Sequence, residues 1–371
     1  MYSLLRPLLF RLDPERAHAL TLHALRIAGN FPPSRKLLEF IYKSPPKPVH
    51  VFGLTFKNPI GLAAGYDKDG VAIRGLATLG FGHVEIGTVT PKPQPGNPSP
   101  RVFRLAEDEA VINRMGFPSR GSEFVQGRLS PAMQTNRLGQ TMGIVNERLE
   151  KRRKWNTVLG VNLGKNRETS NEDAVLDYLA LLQIFAGLAD YLTINVSSPN
   201  TVGLRNLQGR KALEGLLAQL HRQRLFEEQA LARRIPILVK LAPDLSESEL
   251  NDAVEAILNT EMDGIIVTNT TLGREGLRSN DRGETGGLSG SPLRVKSEAV
   301  LCQTLKHVNG RIPVVSAGGI MNPDDAKRRL EMGAALVQIY TGLIYRGPGL
   351  VKAIVTVVPG AGRVAALRSD L

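Results

Sequence analysis

Short apolar runs rich in β-branched residues alternate with amphipathic stretches along most of the chain after residue 48. Runs of this length are typical of buried strands, and most are followed by a segment with apolar residues at helical spacing. The alternation predicts an α/β fold, a parallel (β/α)8 or TIM barrel, with an open doubly wound sheet as the alternative. The eight predicted strands cover residues 60–63, 84–88, 159–163, 191–196, 237–241, 264–268, 313–317 and 335–340.

Helices are predicted after most of these strands, and one insertion separates the second strand from the third. The insertion covers about residues 90–157, and its proline-rich opening and its glycines predict loops over the mouth of the barrel. The predicted helices cover residues 67–79, 172–186, 207–225, 247–258, 292–307 and 323–331.

The first 43 residues have a different pattern, in which leucines recur at helical spacing beside arginines. Asp13 and Pro14 form a helix start signal, because aspartate caps free N–H groups and proline fits the first turn. The proline-rich stretch at 44–48 cannot continue a helix and is interpreted as a linker. We therefore predict a small helical appendage (1–43), a linker (44–48) and a barrel domain (49–371). The leucines at helical spacing in this appendage are Leu4, Leu5, Leu8, Leu9 and Leu12.

Composition narrows the class of protein further. With 42% hydrophobic and 22% charged residues the chain is typical of soluble globular proteins. It has no apolar stretch of about 20 residues and no signal-peptide pattern. Cys302 is the single cysteine, which excludes an internal disulfide and a cysteine-rich metal site. Because Cys302 follows three apolar residues in a helical pattern, we expect it to be buried.

The net charge of +12 suits an anionic substrate, nucleic acid or an anionic membrane leaflet. Aromatic residues make up only 5% of the chain, and no nucleic-acid-binding motif is present. The densest basic run, at 151–154, is interpreted as a solvated face. We therefore expect no nucleic-acid partner.

The candidate chemistry follows from the strand ends, since the active site of such a barrel lies at the carboxyl ends of its strands. Lysines, amides and hydroxyls lie there without a histidine or a carboxylate pair, which argues against a metal site and against two-carboxylate hydrolysis. Lysines and amides suit a planar polar heterocycle, and glycines after the last two strands suit a phosphate, so FMN is predicted. The strand-end residues are Ala64, Gly65, Lys68, Thr88, Asn162, Asn195, Ser198, Lys240, Thr268, Asn269, Thr270, Gly318, Gly319, Tyr340 and Thr341.

The fourth strand ends in the densest polar cluster, at residues 195–200. Burying such groups without partners costs about 1–3 kcal/mol each, so the cluster indicates a ligand site. Ser198 lies between Asn195 and Asn200 and is the candidate for proton transfer. Lys240 interrupts an apolar run and is expected to face a partner or a ligand, whereas Lys68 taken alone fits a surface position equally well.

Seven motifs, in order and at sensible spacing, resemble the dihydroorotate dehydrogenase family between about residues 50 and 350. The helical appendage and the serine at 198 are similar to its membrane-associated, quinone-using class (class 2). The cytosolic class generally lacks the appendage and uses a cysteine base. The motifs lie at residues 63–68, 87–91, 113–117, 195–200, 268–271, 286–290 and 338–341.

The resemblance implies oxidation of (S)-dihydroorotate to orotate in pyrimidine (UMP) biosynthesis, with Ser198 as base, hydride passing to FMN N5 and electrons then to a membrane quinone. It implies that Lys240 stabilises the reduced flavin. The implied substrate residues are Lys68, Asn113, Arg114, Met115, Gly116, Phe117, Asn195, Asn200, Asn269 and Thr270. The implied cofactor residues are Ala64, Gly65, Lys68, Thr88, Asn162, Asn195, Lys240, Thr268, Gly290, Gly319, Tyr340 and Thr341.

The resemblance also implies a quinone tunnel lined by His18, Arg104 and Tyr340, and an appendage lying on the membrane surface. A monomer is expected, at the cytoplasmic face of the inner or cell membrane in a bacterium and at the mitochondrial inner membrane in a eukaryote. The sequence departs from the family pattern at two places. Ser316 and Ala317 precede the glycine pair where Gly-Val is commoner, and Val202 and Asn206 occupy a loop that often has Pro and Asp.

Three alternatives stay open at this point. One is the same chemistry with fumarate or NAD as the acceptor. Another is a non-redox phosphate-binding barrel, such as an isomerase or an aldolase, which would need an acid/base pair that the strand ends lack. The third is a membrane-surface interaction module, which leaves the polar strand ends without a purpose.

Overall fold

The computed structural model describes residues 2–130 and 157–358. All eight predicted strands form and close into a parallel barrel in which each barrel strand lies beside the next one along the chain and the last lies beside the first, which confirms the predicted TIM barrel. The strands are β1 (Val49–Val51), β2 (Leu54–Phe56), β3 (Ile60–Leu62), β4 (His83–Val89), β5 (Val102–Leu105), β6 (Ala110–Asn113), β7 (Val158–Leu163), β8 (Tyr191–Asn195), β9 (Ile237–Leu241), β10 (Gly264–Val267), β11 (Gly287–Gly290), β12 (Val314–Ala317) and β13 (Leu336–Ile339).

The predicted helices between the strands form with small shifts of their ends. Two ends move by six residues. The helix predicted from residue 67 begins at Ile73, because both carboxylate oxygens of Asp67 accept backbone N–H groups, of Val71 and Ala72, at 2.8 Å before it. The helix predicted to end at residue 225 continues to Leu231. The helices are α1 (Tyr2–Arg11), α2 (Pro14–Asn30), α3 (Pro32–Ile41), α4 (Ile73–Thr78), α5 (Ser122–Leu129), α6 (Ala174–Phe185), α7 (Arg210–Leu231), α8 (Glu247–Asn259), α9 (Arg294–Val308), α10 (Pro323–Glu331), α11 (Thr341–Arg346) and α12 (Gly349–Val357).

The insertion after β4 is more regular than its composition predicts. The expectation of loops alone was wrong for the described part, because β5 and β6 pair with β11 in a three-stranded antiparallel sheet, and α5 follows. This sheet carries residues 113–117 to the mouth of the barrel. The rest of the insertion, including the basic run at 151–154, lies outside the described residues.

Helices α1 to α3 form the N-terminal appendage, and α2 packs on α4 of the barrel through glycines. A Cβ on Gly75 would lie 2.1 Å from the carbonyl O of Leu25, and one on Gly29 would lie 2.3 Å from the Gly75 N atom. A side chain at either position would push the helices apart. Among the described residues, no helix is both long enough and apolar enough to cross a membrane.

Exposed apolar side chains concentrate on this appendage. Ten of the seventeen large hydrophobic side chains found exposed in the described part of the chain lie before residue 44. Several are more than half exposed, with Leu4 and Phe40 both at 78%. Cys302, in contrast, was expected to be buried and is exposed, because Val300 and Leu301 occupy the inward positions of α9.

Candidate active site

A cavity of about 150 Å³ opens at the carboxyl ends of the barrel strands. The antiparallel sheet β5-β6-β11 forms one of its walls through residues 113–117. All but two of the predicted substrate and cofactor residues line it: Ala64, Gly65, Lys68, Thr88, Asn113, Met115, Gly116, Phe117, Asn195, Ser198, Asn200, Lys240, Thr268, Asn269, Thr270, Gly290, Gly319, Tyr340 and Thr341.

Arg114 is the first of the two predicted residues that do not line the cavity. Its guanidinium donates to Glu284 Oε2 at 2.5 Å and to the carbonyl O of Pro100 at 2.9 Å, and it stacks over the Phe103 ring. The side chain therefore braces the loop that carries Asn113 and Met115, and it points away from the cavity.

Asn162 is the second, and it lies one layer behind the cavity wall. Its Oδ1 accepts hydrogen bonds from Thr88 Oγ1 at 2.6 Å and from Asn195 Nδ2 at 2.9 Å. Because both of those donors line the cavity, Asn162 fixes the orientation of the wall without forming part of it.

The remaining amides are interlocked across three loops. Asn195 Oδ1 accepts from Ser197 Oγ at 3.0 Å, and Ser197 Oγ accepts from Asn269 Nδ2 at 2.9 Å. Asn200 Nδ2 donates to Asn113 Oδ1 at 3.2 Å and so joins the β8 loop to the antiparallel sheet. Side chains held in this way present fixed donors and acceptors to a ligand, which lowers the entropy lost on binding.

Ser198 lies on the cavity wall and is 5% exposed. Its Oγ accepts the backbone N–H of Asn200 at 3.3 Å. That bond uses one oxygen lone pair, so the hydroxyl proton remains able to point into the cavity. The geometry allows Ser198 to exchange a proton with a bound ligand.

Two lysines bring positive charge to the cavity. Lys68 donates to the carbonyl O of Gly65 at 2.7 Å, and burial lowers its pKa to about 8 although the nearby Asp69 carboxylate opposes the shift. Burial also lowers the pKa of Lys240, which is 6% exposed, and the Glu85 carboxylate acts in the opposite direction. Charged lysines held in a dry site attract an anion strongly.

Glu85 is a residue that the sequence analysis missed. It is fully buried inside the barrel, and its oxygens accept from Asn162 (2.9 Å), Tyr191 (3.0 Å), Thr193 (3.2 Å) and Gln338 (2.9 Å). A carboxylate between the apolar residues Val84 and Ile86 was a usable signal, since such a charge is costly without partners. The carboxylate gathers side chains from three other barrel strands, β7, β8 and β13, beneath the cavity.

Arg205 is a second missed residue, and it holds two ligand-facing loops together. It donates to the carbonyl O of Ser197 at 3.0 Å, to that of Thr270 at 2.8 Å and to Asp244 Oδ2 at 2.8 Å. No spacing rule could have identified it, because its three acceptors come from three separate loops. Its neighbour Val202 is 90% exposed at the tip of the same loop.

One end of the cavity is built from glycines whose backbone conformations exclude a side chain. Gly290, Gly318 and Gly319 have φ values of 98°, 96° and 72°. A Cβ on Gly290 would lie 2.3 Å from the carbonyl O of Glu109. Bare backbone turns of this kind bring N–H groups close to a bound phosphate.

Two buried polar atoms beside the cavity lack a protein partner in the described part of the chain, Thr270 Oγ1 and Gln338 Oε1. Buried polar atoms are normally hydrogen-bonded, so both atoms are fitted to a ligand with its own donors and acceptors. The donor set, the glycine end and the two lysines therefore fit a phosphorylated polar heterocycle such as a flavin nucleotide.

A second cavity of about 290 Å³ lies between the appendage and the barrel, and its lining is mainly apolar. The predicted tunnel residues His18, Arg104 and Tyr340 line it. The edge of the His18 ring meets Tyr66 at 4.9 Å between centroids. Burial, and then the charge of Lys68, lower the pKa of His18 to about 4, so the imidazole is neutral at pH 7.

The two cavities meet at a shared wall. Lys68, Asn113, Met115 and Tyr340 line both of them. A molecule bound in the apolar cavity therefore lies close to one bound in the polar cavity, and the core of the barrel does not separate the two.

Comparison with known proteins decides the family. The dihydroorotate dehydrogenase family model matches residues 48–360. The chain belongs to the dihydroorotate dehydrogenase family. Its resemblance to that family is thereby confirmed, and the chain is a flavin-dependent oxidoreductase.

Named relatives in this family match nearly the whole chain. The dihydroorotate dehydrogenase (quinone) of Idiomarina loihiensis is 46% identical, covering 96% of this chain and 99% of its own. That of Azotobacter vinelandii is 45% identical, covering 100% and 98%. The ligand-free dihydroorotate dehydrogenase of Eimeria tenella superposes with a TM-score of 0.78 at 40% identity, covering 92% and 93%. The ferulenol complex of the Eimeria enzyme gives the same TM-score at 39% identity, covering 92% and 90%.

Proposed function

We propose that this protein oxidises (S)-dihydroorotate to orotate, a step of pyrimidine biosynthesis, and passes the electrons through FMN to a membrane quinone. The observation that carries the proposal is the pair of cavities that meet at Lys68, Asn113, Met115 and Tyr340. A polar site at the strand ends suits the substrate and the flavin. The mainly apolar cavity between the appendage and the barrel suits a quinone ring and tail better than it suits fumarate or NAD. The relatives named as quinone enzymes support the same choice of acceptor.

The substrate is anionic and carries two ring amide groups, which the side chains of the polar cavity complement. The Lys68 ammonium binds the carboxylate, and the amides of Asn113, Asn195, Asn200 and Asn269 pair with the ring. Their mutual hydrogen bonds hold them ready for that pairing. Thr270, Met115, Gly116 and Phe117 complete the pocket, and Arg114 acts by bracing the loop.

Ser198 is the base that removes the substrate's C5 proton. A serine has a high pKa, so its oxygen accepts the proton only as its own proton leaves through a further hydroxyl or water. Burial favours this coupled transfer, because a free alkoxide or an unpaired proton is costly in a dry site.

Bound FMN supplies the hydride acceptor and the means of passing electrons on to the quinone. Gly290, Gly319 and Thr341 would hold its phosphate, and Lys240 would face the flavin ring at its N1/C2 side, where the lysine charge would favour the reduced form. Thr88 and Asn195 stay oriented through Asn162. Ala64, Gly65, Thr268 and Tyr340 line the remainder of the cofactor site.

The appendage brings the protein to its quinone. Its exposed leucines and phenylalanines enter the interface of the bilayer, and its arginines favour anionic lipid headgroups. The protein is accordingly a peripheral membrane protein. In a bacterium it lies on the cytoplasmic face of the inner membrane, and in a eukaryote on the mitochondrial inner membrane.

The proposal is tested first on the cofactor. Purified protein is expected to be yellow and to release FMN, not FAD or riboflavin, in about one equivalent when it is denatured. Chromatography of the released flavin against standards measures this. A colourless protein that does not take up FMN would contradict the proposal and would favour a non-redox phosphate-binding barrel.

The rate of flavin reduction is expected to fall at alkaline pH because of Lys68. Burial lowers the pKa of Lys68 to about 8. Only the protonated form binds the carboxylate. The second-order rate constant for flavin reduction at low substrate concentration should therefore decline by up to about tenfold per pH unit above that pKa. Stopped-flow measurements from pH 6 to 10 report this limb. Lys68→Arg keeps its charge over this range and should abolish the decline, whereas a decline of equal pKa in both proteins would assign it to another group.

A further inference from the structure

Arg329, on α10, is fully buried although an arginine side chain stays charged at physiological pH. Its guanidinium lies behind the turn that Gly318 and Gly319 make at the edge of the polar cavity. It donates to Ser316 Oγ at 2.9 Å and to the carbonyl O of Gly318 at 3.1 Å. The serine at 316, where the family pattern usually has glycine, therefore has a structural reason.

The same guanidinium also reaches the first turn of α9. It donates to the carbonyl O of Arg294 at 3.1 Å and to Ser297 Oγ at 2.8 Å. Gly319 packs directly on this turn, since a Cβ there would lie 2.3 Å from Arg294 Cα. Arg329 therefore joins the glycine turn to the start of a 15-residue helix, whose positive end favours an anion.

The hydrogen bond to Gly318 sets the direction of the following N–H group. In a trans peptide the carbonyl and the N–H point in opposite directions. The Gly318 carbonyl points back toward Arg329, so the Gly319 N–H points toward the cavity, which both glycines line. A guanidinium on the far side of the turn thus aims a donor at the ligand without touching the ligand.

The charges around this turn leave it net positive. In the described part of the chain, Glu298 accepts from Arg329 at 3.2 Å and from Arg328 at 3.0 Å. Asp325 is paired with Arg328 at 3.0 Å and with Arg294 at 3.6 Å. Three arginines therefore face two carboxylates, and Arg329 is the arginine of the three that is withdrawn from water.

We propose that Arg329 is a positioning residue for the phosphate of the flavin nucleotide. It holds the Gly318–Gly319 turn in its anion-binding conformation and places a buried positive charge behind it. Such a charge is weakly screened, so it acts on a phosphate dianion even from the far side of a turn. The inference rests on the proposed function in one respect, that the cofactor carries a phosphate.

Riboflavin separates this role from a general structural one, because it has the same ring system as FMN and lacks the phosphate. We expect Arg329→Gln apoprotein to bind FMN about tenfold more weakly, with riboflavin affinity changed by less than about twofold. Flavin fluorescence titrations of the apoprotein measure both affinities. The quantity that decides is the ratio of FMN affinity to riboflavin affinity.

Two further glutamine variants, of charged residues that pair next to Arg329, test the proposal. One is a control, and the other should have the opposite effect. Arg328→Gln also removes one positive charge from α10, but its side chain is 47% exposed and has no bond to the turn, so the ratio should stay within about twofold. Glu298→Gln removes the carboxylate that partly neutralises Arg329, so the ratio should rise by about threefold.

An equal loss of affinity for both flavins in Arg329→Gln would overturn the proposal and leave Arg329 a structural residue. Should that variant not fold, Glu298→Gln decides, since an unchanged or lower ratio there excludes an electrostatic role for Arg329. A wild-type protein that binds riboflavin as tightly as FMN would also contradict this inference. A wild-type protein that binds neither flavin would contradict the proposed function instead.

Discussion

Ser198→Ala is expected to lower the rate of flavin reduction by dihydroorotate by about 10²–10⁴-fold while FMN stays bound, because a positioned general base contributes rate enhancement of that size. Ser198 is 5% exposed on the cavity wall, and its hydroxyl proton is available to the ligand. Alanine removes the oxygen and fits in the same space. The flavin absorbance spectrum and the substrate Kd should change little.

Ser197→Ala is the matched control, one residue earlier on the same loop. Ser197 Oγ bridges Asn195 and Asn269 at 3.0 and 2.9 Å, so its loss loosens the amides that bind the ring. We expect Ser197→Ala to raise KM and to leave kcat nearly unchanged. Ser198→Ala should do the opposite, lowering the rate with little change in substrate binding. If Ser198→Ala retained more than about a third of the wild-type rate, the base would have to be another group.

Ala17→Trp is expected to cut quinone-dependent turnover by about tenfold or more while leaving flavin reduction by dihydroorotate unchanged. Ala17 lies on α2, is 9% exposed and lines the apolar cavity of about 290 Å³. An indole placed there occupies the space that the proposal assigns to the quinone. Reduction of the flavin takes place in the other cavity and does not need that space.

Leu20→Trp is the control on the same helix, because Leu20 is 53% exposed and does not line the cavity. Steady-state assays with a short-chain quinone, and stopped-flow bleaching without it, separate the two half-reactions. An Ala17→Trp protein with full quinone turnover would show that the acceptor reaches the flavin by another route. Loss of both half-reactions would show instead that the packing of α2 has been damaged.

The sequence carried enough information to predict the barrel because its strands have a simple signature. Each barrel strand is a buried β-branched run bounded by turns, and the eight predictions coincide with the eight strands to within one or two residues. The insertion after β4 was harder, because three of the four residues of β5 are only half-buried and Arg104 interrupts its apolar run. Pairing with the distant β11 decides their structure, and local pattern does not contain that pairing.

Site residues could be predicted where their place at the end of a barrel strand decides their role. They could not be predicted where the direction of the side chain decides it. Ser198, Asn195 and Lys240 follow from the chain order of the strands. Arg114 lies in a motif at the cavity mouth, but its guanidinium turns outward to Glu284, a residue 170 positions away. Long-range contacts of this kind fix rotamers, and a single sequence does not record them.

Anaerobic mixing of the purified protein with dihydroorotate, followed by a quinone, tests the central claim most directly. The flavin absorbance near 450 nm is expected to bleach on addition of dihydroorotate and to return on addition of a short-chain ubiquinone or menaquinone analogue, with orotate formed in proportion. Fumarate and NAD should restore the colour far more slowly. Failure of dihydroorotate to bleach the flavin would contradict the proposed chemistry, and faster recovery with fumarate or NAD would contradict the quinone as acceptor.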